Sequence, residues 1–301
     1  GGDLSETVRI KADSDGMVTL YSGTQNMGQG LETVFTQLLS EKLQIPMESI
    51  KIVLGDTKLV KGLGSFGSRS LFVGGTALLE GTTEFLQKSR ELAAEELEAA
   101  EDDILYHNGR FQVTGTSIGV GLFDLASKQP QKCISTETEK TVEGRSWPNG
   151  CHIAEVEIDP ETGRVFLASY GNVDDTGNMI NPMIVEGQII GGIAQGAGQV
   201  LLEQSVYDSD GQLLTASFMD YAMPRADDLP VFQSSTFTDA PCLTNPLGAK
   251  GVGEIGTVGS IPTIANAILD ALWDQGVRKF DMPAYPQKIW KLLQEAKNLR
   301  Q

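Results

Sequence analysis

A glycine-rich segment with a single carboxylate is the first candidate for chemistry. Residues 245–256 read NPLGAKGVGEIG, with four glycines in the last nine positions and Glu254 among them. Glycine lacks the Cβ that would keep a backbone away from a ligand. A glutamate held against a ligand loses water, which raises its pKa and makes it a candidate general base. A surface turn with a solvated glutamate is the alternative that these residues leave open.

The same segment contains three glycines in the spacing of a dinucleotide fingerprint. Gly251, Gly253 and Gly256 fit that pattern, which binds a pyrophosphate only when a strand leads in and a helix starts inside it. Pro246 interrupts the lead-in, and the next helix is predicted to begin only near Pro262. This context argues against a nicotinamide site.

Two further glycine-rich loops precede predicted helices. Residues 23–30, GTQNMGQG, lead into apolar residues at helical spacing from Leu31, and they offer free N–H groups and the amide of Gln29. Residues 62–70, GLGSFGSRS, combine backbone and hydroxyl donors with the guanidinium of Arg69, the groups that a phosphate or pyrophosphate prefers. An ordinary connection without a ligand is the open alternative for each loop.

Another candidate surface lies on a helix predicted to begin at Pro182 and to run to about Glu203. Gly187, Gly191 and Gln195 are four residues apart and therefore share one face of that helix. The glycines let a neighbour approach closely, and Gln195 would point at that neighbour. Tight packing between helices, with no ligand involved, explains the same pattern.

Hairpins and strands must position these loops. Alternating apolar residues separated by turn residues predict β-hairpins at residues 8–22, 104–113 and 153–170. The alternation of Ile50, Ile52 and Leu54 predicts a further strand. Each loop that could do chemistry thus lies next to a regular element.

A polar stretch divides the chain. Residues from about 115 to 150 lack strong periodicity, which predicts a boundary between a first domain at 1–145 and a second domain at 146–301. The loop and helix around Gln29-Gly30 weakly resemble those around Gln195-Gly196. That likeness is compatible with a duplicated architecture but gives no clear repeat.

Composition excludes several classes of function. A net charge of −17 and a pI near 4.5 leave no basic stripe for nucleic acid or an anionic membrane. No run of eighteen apolar residues predicts a membrane span, and the three cysteines have no metal spacing. With only His107 and His152 as imidazoles, a metal centre held by this chain would have to be built from carboxylates alone, and we expect no metal ligand from it. Any transition metal would be held by another group.

Seven short blocks, in order along the chain, resemble one known family. That family is the molybdopterin-binding large subunit of xanthine dehydrogenases, aldehyde oxidases and carbon monoxide dehydrogenases, and the resemblance covers its C-terminal part. The blocks are Met27-Gly28-Gln29-Gly30, Gly67-Ser68-Arg69-Ser70, Val173-Asp174-Asp175, Ile180-Asn181-Pro182, Val185-Glu186-Gly187-Gln188, Ala194-Gln195-Gly196 and residues 245–254.

The resemblance implies a fold and a cofactor. The fold would be α+β, with mixed sheets and packed helices in a lobed, internally duplicated molybdenum cofactor-binding domain. The cofactor would be molybdenum held by the dithiolene of molybdopterin, which bacterial members often extend to the cytosine dinucleotide form. Iron–sulfur clusters and FAD would lie on partner subunits of a cytoplasmic enzyme.

The resemblance also assigns roles to residues. Glu254 matches the general base, which would take a proton from a molybdenum-bound hydroxyl as its oxygen attacks an aldehyde or N-heterocycle carbon and hydride passes to a sulfido ligand. Thr176 stands where some members carry cysteine. The cofactor-binding positions implied are Gly28, Gln29, Gly30, Gly67, Ser68, Arg69, Ser70, Thr176, Gln195, Lys250, Gly251 and Gly253.

The family's N-terminal half has no counterpart in the resemblance. That half, in the same or a separate chain, would supply part of the metal site and the substrate pocket, so the isolated chain is expected to be inactive. A non-catalytic assembly or scaffold domain that keeps the fold is the competing hypothesis.

Overall fold

The computed structural model of the chain describes residues 4–299. Its contacts divide the chain into two compact units, and each unit draws on separate stretches of sequence. Unit 1 comprises the residues up to Trp147, Gly177–Asn181 and Pro241–Gly251, and unit 2 comprises Pro148–Thr176, Pro182–Ala240 and the residues from Val252 on.

Unit 1 is built from seven strands and three α-helices within the described residues. A π-helical turn at Ser70–Gly75 leads directly into the second helix. The strands are β1 (Ser5–Asp13), β2 (Val18–Ser22), β3 (Ile50–Leu54), β4 (Ile104–His107), β5 (Arg110–Val113), β6 (Gly119–Gly121) and β7 (Cys133–Thr141). The helices are α1 (Leu31–Leu43), α2 (Thr76–Glu96) and α3 (Leu122–Lys128).

The main sheet of unit 1 has the strand order β3-β2-β1-β7. β1 runs antiparallel to β2 and β7, whereas β2 and β3 are parallel because α1 connects them. The buried face carries Val8 and Ile10 of β1 and Leu20 of β2, and α2 packs against β7 and β1. The hairpin β4-β5 and the short strand β6 form a separate antiparallel sheet.

Unit 2 has one three-stranded sheet and three helices in the part of the chain that is described. The sheet order is β10-β9-β8, with β8 antiparallel to β9 and β9 parallel to β10. The elements are β8 (Asn149–Ile158), β9 (Val165–Asp175), α4 (Pro182–Leu201), β10 (Phe232–Phe237), α5 (Ile255–Trp273) and α6 (Pro286–Asn298). The helices α4 and α5 pack against each other, and α5 also covers β8.

The two units repeat one arrangement of elements. Unit 1 runs β1-β2-α1-β3-α2, and unit 2 runs β8-β9-α4-β10-α5. In both, the second strand of an antiparallel hairpin pairs in parallel with the strand that follows the first helix. The α+β fold with mixed sheets and an internal duplication is therefore confirmed.

The polar stretch near the predicted boundary is more ordered than the sequence suggests. It contains β6, α3 and β7, and β7 pairs with β1 along nine residues of each strand. The polar alternation of β7, CISTETEKT, reflects a strand with one face turned to solvent. The division into a first domain at 1–145 and a second domain at 146–301 stays a prediction.

The last glycine-rich segment leads into a helix earlier than predicted. α5 begins at Ile255, and Pro262 lies inside it rather than at its start. By length and composition α5 is the one described helix that could cross a bilayer. Its buried residues recur at every fourth position, the pattern of a helix packed along one face, and they are Gly256, Ser260, Ile264, Ile268 and Leu272.

Candidate functional site

The first glycine loop, residues 23–30, keeps the amide of Gln29 inside the loop. Its Nε2 donates to the carbonyl of Gln25 at 2.8 Å, and its Oε1 accepts from the N–H of Met27 at 2.6 Å. Gly28 and Gly30 have φ values of +90° and +79°, which residues with a Cβ rarely adopt. The loop thus places Gln29, half-buried, at the start of α1.

The second glycine loop, residues 62–70, contains two consecutive left-handed residues. Gly67 has a φ of +54° and Ser68 a φ of +56°, and Arg69 returns to the right-handed region. Such a pair forms a tight turn, and the N–H of Arg69 closes it by donating to the carbonyl of Phe66 at 3.2 Å. Apart from the adjoining residues, no described atom lies within 4 Å of the position that a Cβ on Gly67 would occupy. The turn is therefore open at Gly67.

Arg69 is held by a residue that the sequence pattern did not single out. Its side chain is 4% exposed and pairs with Glu6, which is 0% exposed, at 2.8 Å between Nη1 and Oε2. Nη1 also donates to the carbonyl of Gly64 at 2.8 Å, and Nη2 donates to the carbonyl of Ser5. Among residues 4–299, Nε of Arg69 is buried and has no hydrogen-bond partner.

Glu6 lies beneath both glycine loops. A Cβ on Gly23 would lie 2.3 Å from Oε1 of Glu6 and 2.3 Å from Cα of Gly62, so glycine is required where the loops cross. Burial raises the pKa of Glu6, and the guanidinium of Arg69 opposes that rise. The signal in the sequence is the alternation of Glu6 with Val8 in β1, which places a carboxylate on the buried face of a strand.

Further contacts tie the two loops together. The hydroxyl of Ser65 accepts from the N–H of Gln25 at 2.9 Å and donates to the carbonyl of Gln25 at 2.7 Å. Gln25 is also the residue whose carbonyl accepts from Gln29. The amide of Gln29 and the loop of Arg69 thus belong to one connected set of contacts in unit 1.

The 245–251 segment reaches the second glycine loop within unit 1. A Cβ on Gly251 would lie 2.5 Å from the carbonyl oxygen of Ser68, so the two backbones are in close contact. The N–H of Gly251 donates to the hydroxyl of Ser146 at 3.2 Å. Lys250 is half-buried, and its Cγ would lie 3.2 Å from a Cβ on Gly177. Unit 1 therefore brings together three of the sequence-predicted positions, Ser68, Lys250 and Gly251.

In unit 2, Glu254 is the residue immediately before α5, and its side chain is exposed. Thr257, in the first turn of α5, donates to the carbonyl of Gly192 at 3.0 Å and reaches Oε1 of Gln195 at 3.4 Å. A Cβ on Gly192 would lie 3.0 Å from Cα of Gly256. Gln195 is therefore held against the first turn of the helix that Glu254 precedes.

The glycines that bring α4 and α5 together are not those that the sequence pattern indicated. At Gly187 and Gly191, no described atom beyond their own helix lies within 4 Å of the place that a Cβ would take. Gly192 and Gly196 make the close contacts instead, and a Cβ on Gly196 would lie 2.0 Å from the hydroxyl of Ser260. The face with Gly187, Gly191 and Gln195 is exposed in the chain.

The remaining predicted positions differ in exposure. Thr176 is 1% exposed and donates its N–H to the carbonyl of Phe237 at 3.2 Å, so it closes the end of β9. Ser70 is half-buried at the start of the π-helical turn, and Gly253 is exposed. Within residues 4–299, no three His, Cys, Asp or Glu side chains are grouped so as to hold a metal ion.

Solved structures place this fold among molybdenum enzymes. A copper- and molybdenum-containing carbon monoxide dehydrogenase superposes with a TM-score of 0.84 and 31% identity, over 97% of this chain and 38% of that chain. Quinoline 2-oxidoreductase from Pseudomonas putida 86 gives a TM-score of 0.83 and 32% identity, over 97% and 38%. This chain therefore has the fold of one part of a larger, cofactor-containing polypeptide.

The chain belongs to the molybdopterin cofactor-binding domain family, whose sequence profile matches residues 1–230. It is 36% identical to subunit gamma of the 6-hydroxypseudooxynicotine dehydrogenase complex of Paenarthrobacter nicotinovorans, over 98% of this chain and 38% of that subunit. The chain thus spans well under half the length of the proteins that it matches. The family identified from the sequence blocks is confirmed.

The loops of unit 1 fit an oxygen-rich cofactor. The turn is open at Gly67, and Nε of Arg69 is a buried donor without a partner in the described chain. Phosphate and pterin oxygens are acceptors that such donors bind. The residues present are therefore chemically suited to molybdopterin.

Proposed function

We propose that this chain is the cofactor-holding part of a molybdenum-dependent hydroxylase, an oxidoreductase that oxidises an aldehyde or an N-heterocycle. The observation that carries the proposal is the turn at Gly67 and Ser68, which is open at Gly67, with Gly251 packed against Ser68 and Nε of Arg69 left as a donor. When bound, the molybdenum cofactor would supply oxygen transfer and a two-electron sink.

The residues of unit 1 bind and orient that cofactor. The N–H groups and hydroxyls of Ser68 and Ser70 donate to its phosphate or pterin edge, and Nε of Arg69 adds a charge-assisted hydrogen bond. The amide of Gln29 exchanges a contact inside its own loop for one with the pterin. Gly28, Gly30 and Gly67 let the backbone lie close to the cofactor. Lys250 and Gly251 contact the cofactor from the same unit.

The residues of unit 2 act on the substrate side. Glu254 accepts a proton from the attacking oxygen, and its placement directly before α5 fixes the carboxylate to a rigid element. Gln195, held by Thr257 next to that helix start, donates a hydrogen bond to an oxygen at the reacting centre. Gly253 lets the backbone approach the ligand, and Thr176 supports the nucleotide end.

Relatives suggest the range of substrates and partners. One is named for 6-hydroxypseudooxynicotine, one for quinoline and one for carbon monoxide, and the first is a subunit of a complex. We extend this to a small aldehyde or heterocycle here, with the cofactor in its cytosine dinucleotide form. The further partners proposed are the N-terminal half of the large subunit and subunits carrying iron–sulfur clusters and FAD, in the cytoplasm.

The test uses the complete protein with its partner subunits. Molybdenum content is measured by elemental analysis, and turnover by aldehyde- or quinoline-dependent dye reduction. We expect Glu254→Gln to lower kcat by about 10²–10⁴-fold, the range for a lost general base, with molybdenum content unchanged. Glu295→Gln, at an exposed position of α6, is the matched control.

Two results would contradict the proposal at different points. Unchanged turnover in Glu254→Gln removes Glu254 from its role as base. A complete assembly that binds no molybdenum and reduces no dye with either substrate class favours the non-catalytic scaffold instead.

A further inference from the structure

A buried polar network lies on the hairpin β8-β9 of unit 2. Its side chains face one side of the hairpin, because the register pairs His152 with Asn172, Gly150 with Asp174 and Ala154 with Tyr170. The side chains of His152 and Asp174 are 4% and 0% exposed, and Tyr170 is fully buried. Burying a polar group costs free energy unless the group is hydrogen-bonded, so the burial of this network needs a physical explanation.

Hydrogen bonds hold the ring of His152 on both sides. The carboxylate of Asp174 can only accept, so Nε2–H of His152 donates to Oδ1 at 3.0 Å. Nδ1 of the same ring shares a hydrogen bond of 2.7 Å with the hydroxyl of Tyr170. Nδ2 of Asn172 donates to the second carboxylate oxygen at 2.7 Å. The ring of His152 is thereby fixed in both tilt and rotation.

Two glycines leave room for this network, and one of them is on α5. A Cβ on Gly150 would lie 2.1 Å from Oδ1 of Asp174, and a Cβ on Gly259 would lie 2.5 Å from Cε1 of His152. The imidazole therefore lies directly against the backbone of α5. Gly259 follows Glu254 by five residues, which is about 7.5 Å along a helix axis.

A neighbouring face of the same helical turns is held by α4. Gly192 meets the backbone of Gly256, and Gly196 lies over the hydroxyl of Ser260. Apolar packing alone is non-directional and tolerates sliding of a helix along a sheet. Because the imidazole of His152 is fixed against Gly259, α5 cannot slide along the sheet near its first turns, which follow Glu254.

We propose that His152, Asp174 and Tyr170 are positioning residues for Glu254. They fix the first turns of α5 against β8, so that the carboxylate of Glu254 is presented in one place. This inference rests on the proposed role of Glu254 as general base. A displacement of about 1 Å in a catalytic group can cost about 10²-fold in rate, so the network has a measurable consequence.

The experiment measures hydrogen exchange and turnover on the complete holoenzyme. Tyr170→Phe removes only the hydroxyl, and His152→Gln removes the ring while keeping a polar side chain. His107→Gln is the matched control, since His107 is exposed on β4 of unit 1. We expect amide exchange over residues 254–260 to be at least about 10-fold faster in both variants and unchanged in the control.

A double-mutant cycle then separates positioning from general stability. His152→Gln should lower kcat by about 10–100-fold with KM nearly unchanged. In the Glu254→Gln background, the same change should lower kcat by less than about twofold, because the group that His152 positions is already lost. Equal losses in both backgrounds would overturn the proposal and leave the network a role in stability alone.

Failure of this inference is distinguishable from failure of the proposed function. If Glu254→Gln keeps full turnover, Glu254 is not the base, and the exchange of residues 254–260 still decides whether the network fixes α5. If exchange of that segment is unchanged in both Tyr170→Phe and His152→Gln, the network does not position α5, whatever the activities show.

Discussion

The ion pair between Glu6 and Arg69 should be the main electrostatic determinant of the two glycine loops. Glu6→Gln keeps the shape of the side chain but leaves the guanidinium of Arg69 buried without its counter-charge. Breaking a buried pair by removing one partner costs about 3–5 kcal/mol. The carbonyls of Ser5 and Gly64 still accept from Arg69, so we expect the lower end, about 3 kcal/mol.

An exposed pair on the same sheet gives a matched control. Arg9 of β1 and Glu137 of β7 lie 2.6 Å apart, with side chains 35% and 50% exposed. Exposed pairs contribute about 0–1 kcal/mol, so Glu137→Gln should change the free energy of unfolding by no more than that. Urea unfolding of both variants and the wild type measures the difference, and limited proteolysis of residues 62–70 reports on the second glycine loop.

Coupling between the two residues provides the refutation. If the pair is the origin of the effect, Glu6→Gln combined with Arg69→Gln should be less destabilising than the sum of the two single variants. Losses that add, or a loss in Glu6→Gln no larger than that in Glu137→Gln, would show that the charges are not coupled. The shape of the loops would then depend on Gly23 and Gly62 alone.

Two further predictions concern pH and helix packing. Burial raises the pKa of Glu6 and the guanidinium of Arg69 opposes that rise, so Arg69→Gln should raise it further, and the stability of this variant relative to the wild type should fall as pH rises above about 4.5. A relative stability that grows with pH in urea titrations would contradict this sign. Gly256→Ala should destabilise by about 1–3 kcal/mol, because its Cβ would lie 2.2 Å from the carbonyl oxygen of Ile189. Gly187→Ala, in open space, should stabilise by about 0.5–1 kcal/mol, and thermal unfolding that ranks the two the other way would refute the packing argument.

The start of the first helix could be predicted from sequence because the signal is local. Gly28 and Gly30 mark a turn, and apolar residues at helical spacing follow from Leu31, where α1 begins. The contacts of Arg69 could not be predicted in the same way. A guanidinium in a glycine loop suits a phosphate, and only the fold shows that Glu6, sixty-three residues earlier, already accepts from Nη1.

The start of α5 was missed because packing outweighs propensity there. Proline is typical of a first helical turn, which is why the sequence predicts a start near Pro262, and Gly256 and Gly259 before it are poor helix formers. Their small size is what lets α5 approach α4 and the ring of His152. Similarly, a spacing of four shows that Gly187 and Gly191 share a face but not which face meets a neighbour. In sequence, glycines that permit close helix packing therefore resemble the glycines that end a helix.

Because of the duplication, a charged residue occurs at the same point of each unit. In each unit the second helix follows a glycine-rich stretch, and a charged residue stands directly before its first turn: Arg69 before the π-helical turn that leads into α2, and Glu254 before α5. Glycines at that place let the chain turn sharply, and the helix start fixes whatever side chain precedes it. In unit 1 the guanidinium of Arg69 is turned inward and pairs with Glu6. In unit 2 the carboxylate is exposed, while the polar network lies about one and a half helical turns further on, against Gly259. The charged residue at this point of the repeat is thus buried in unit 1, where Glu6 of β1 pairs with Arg69, and exposed in unit 2.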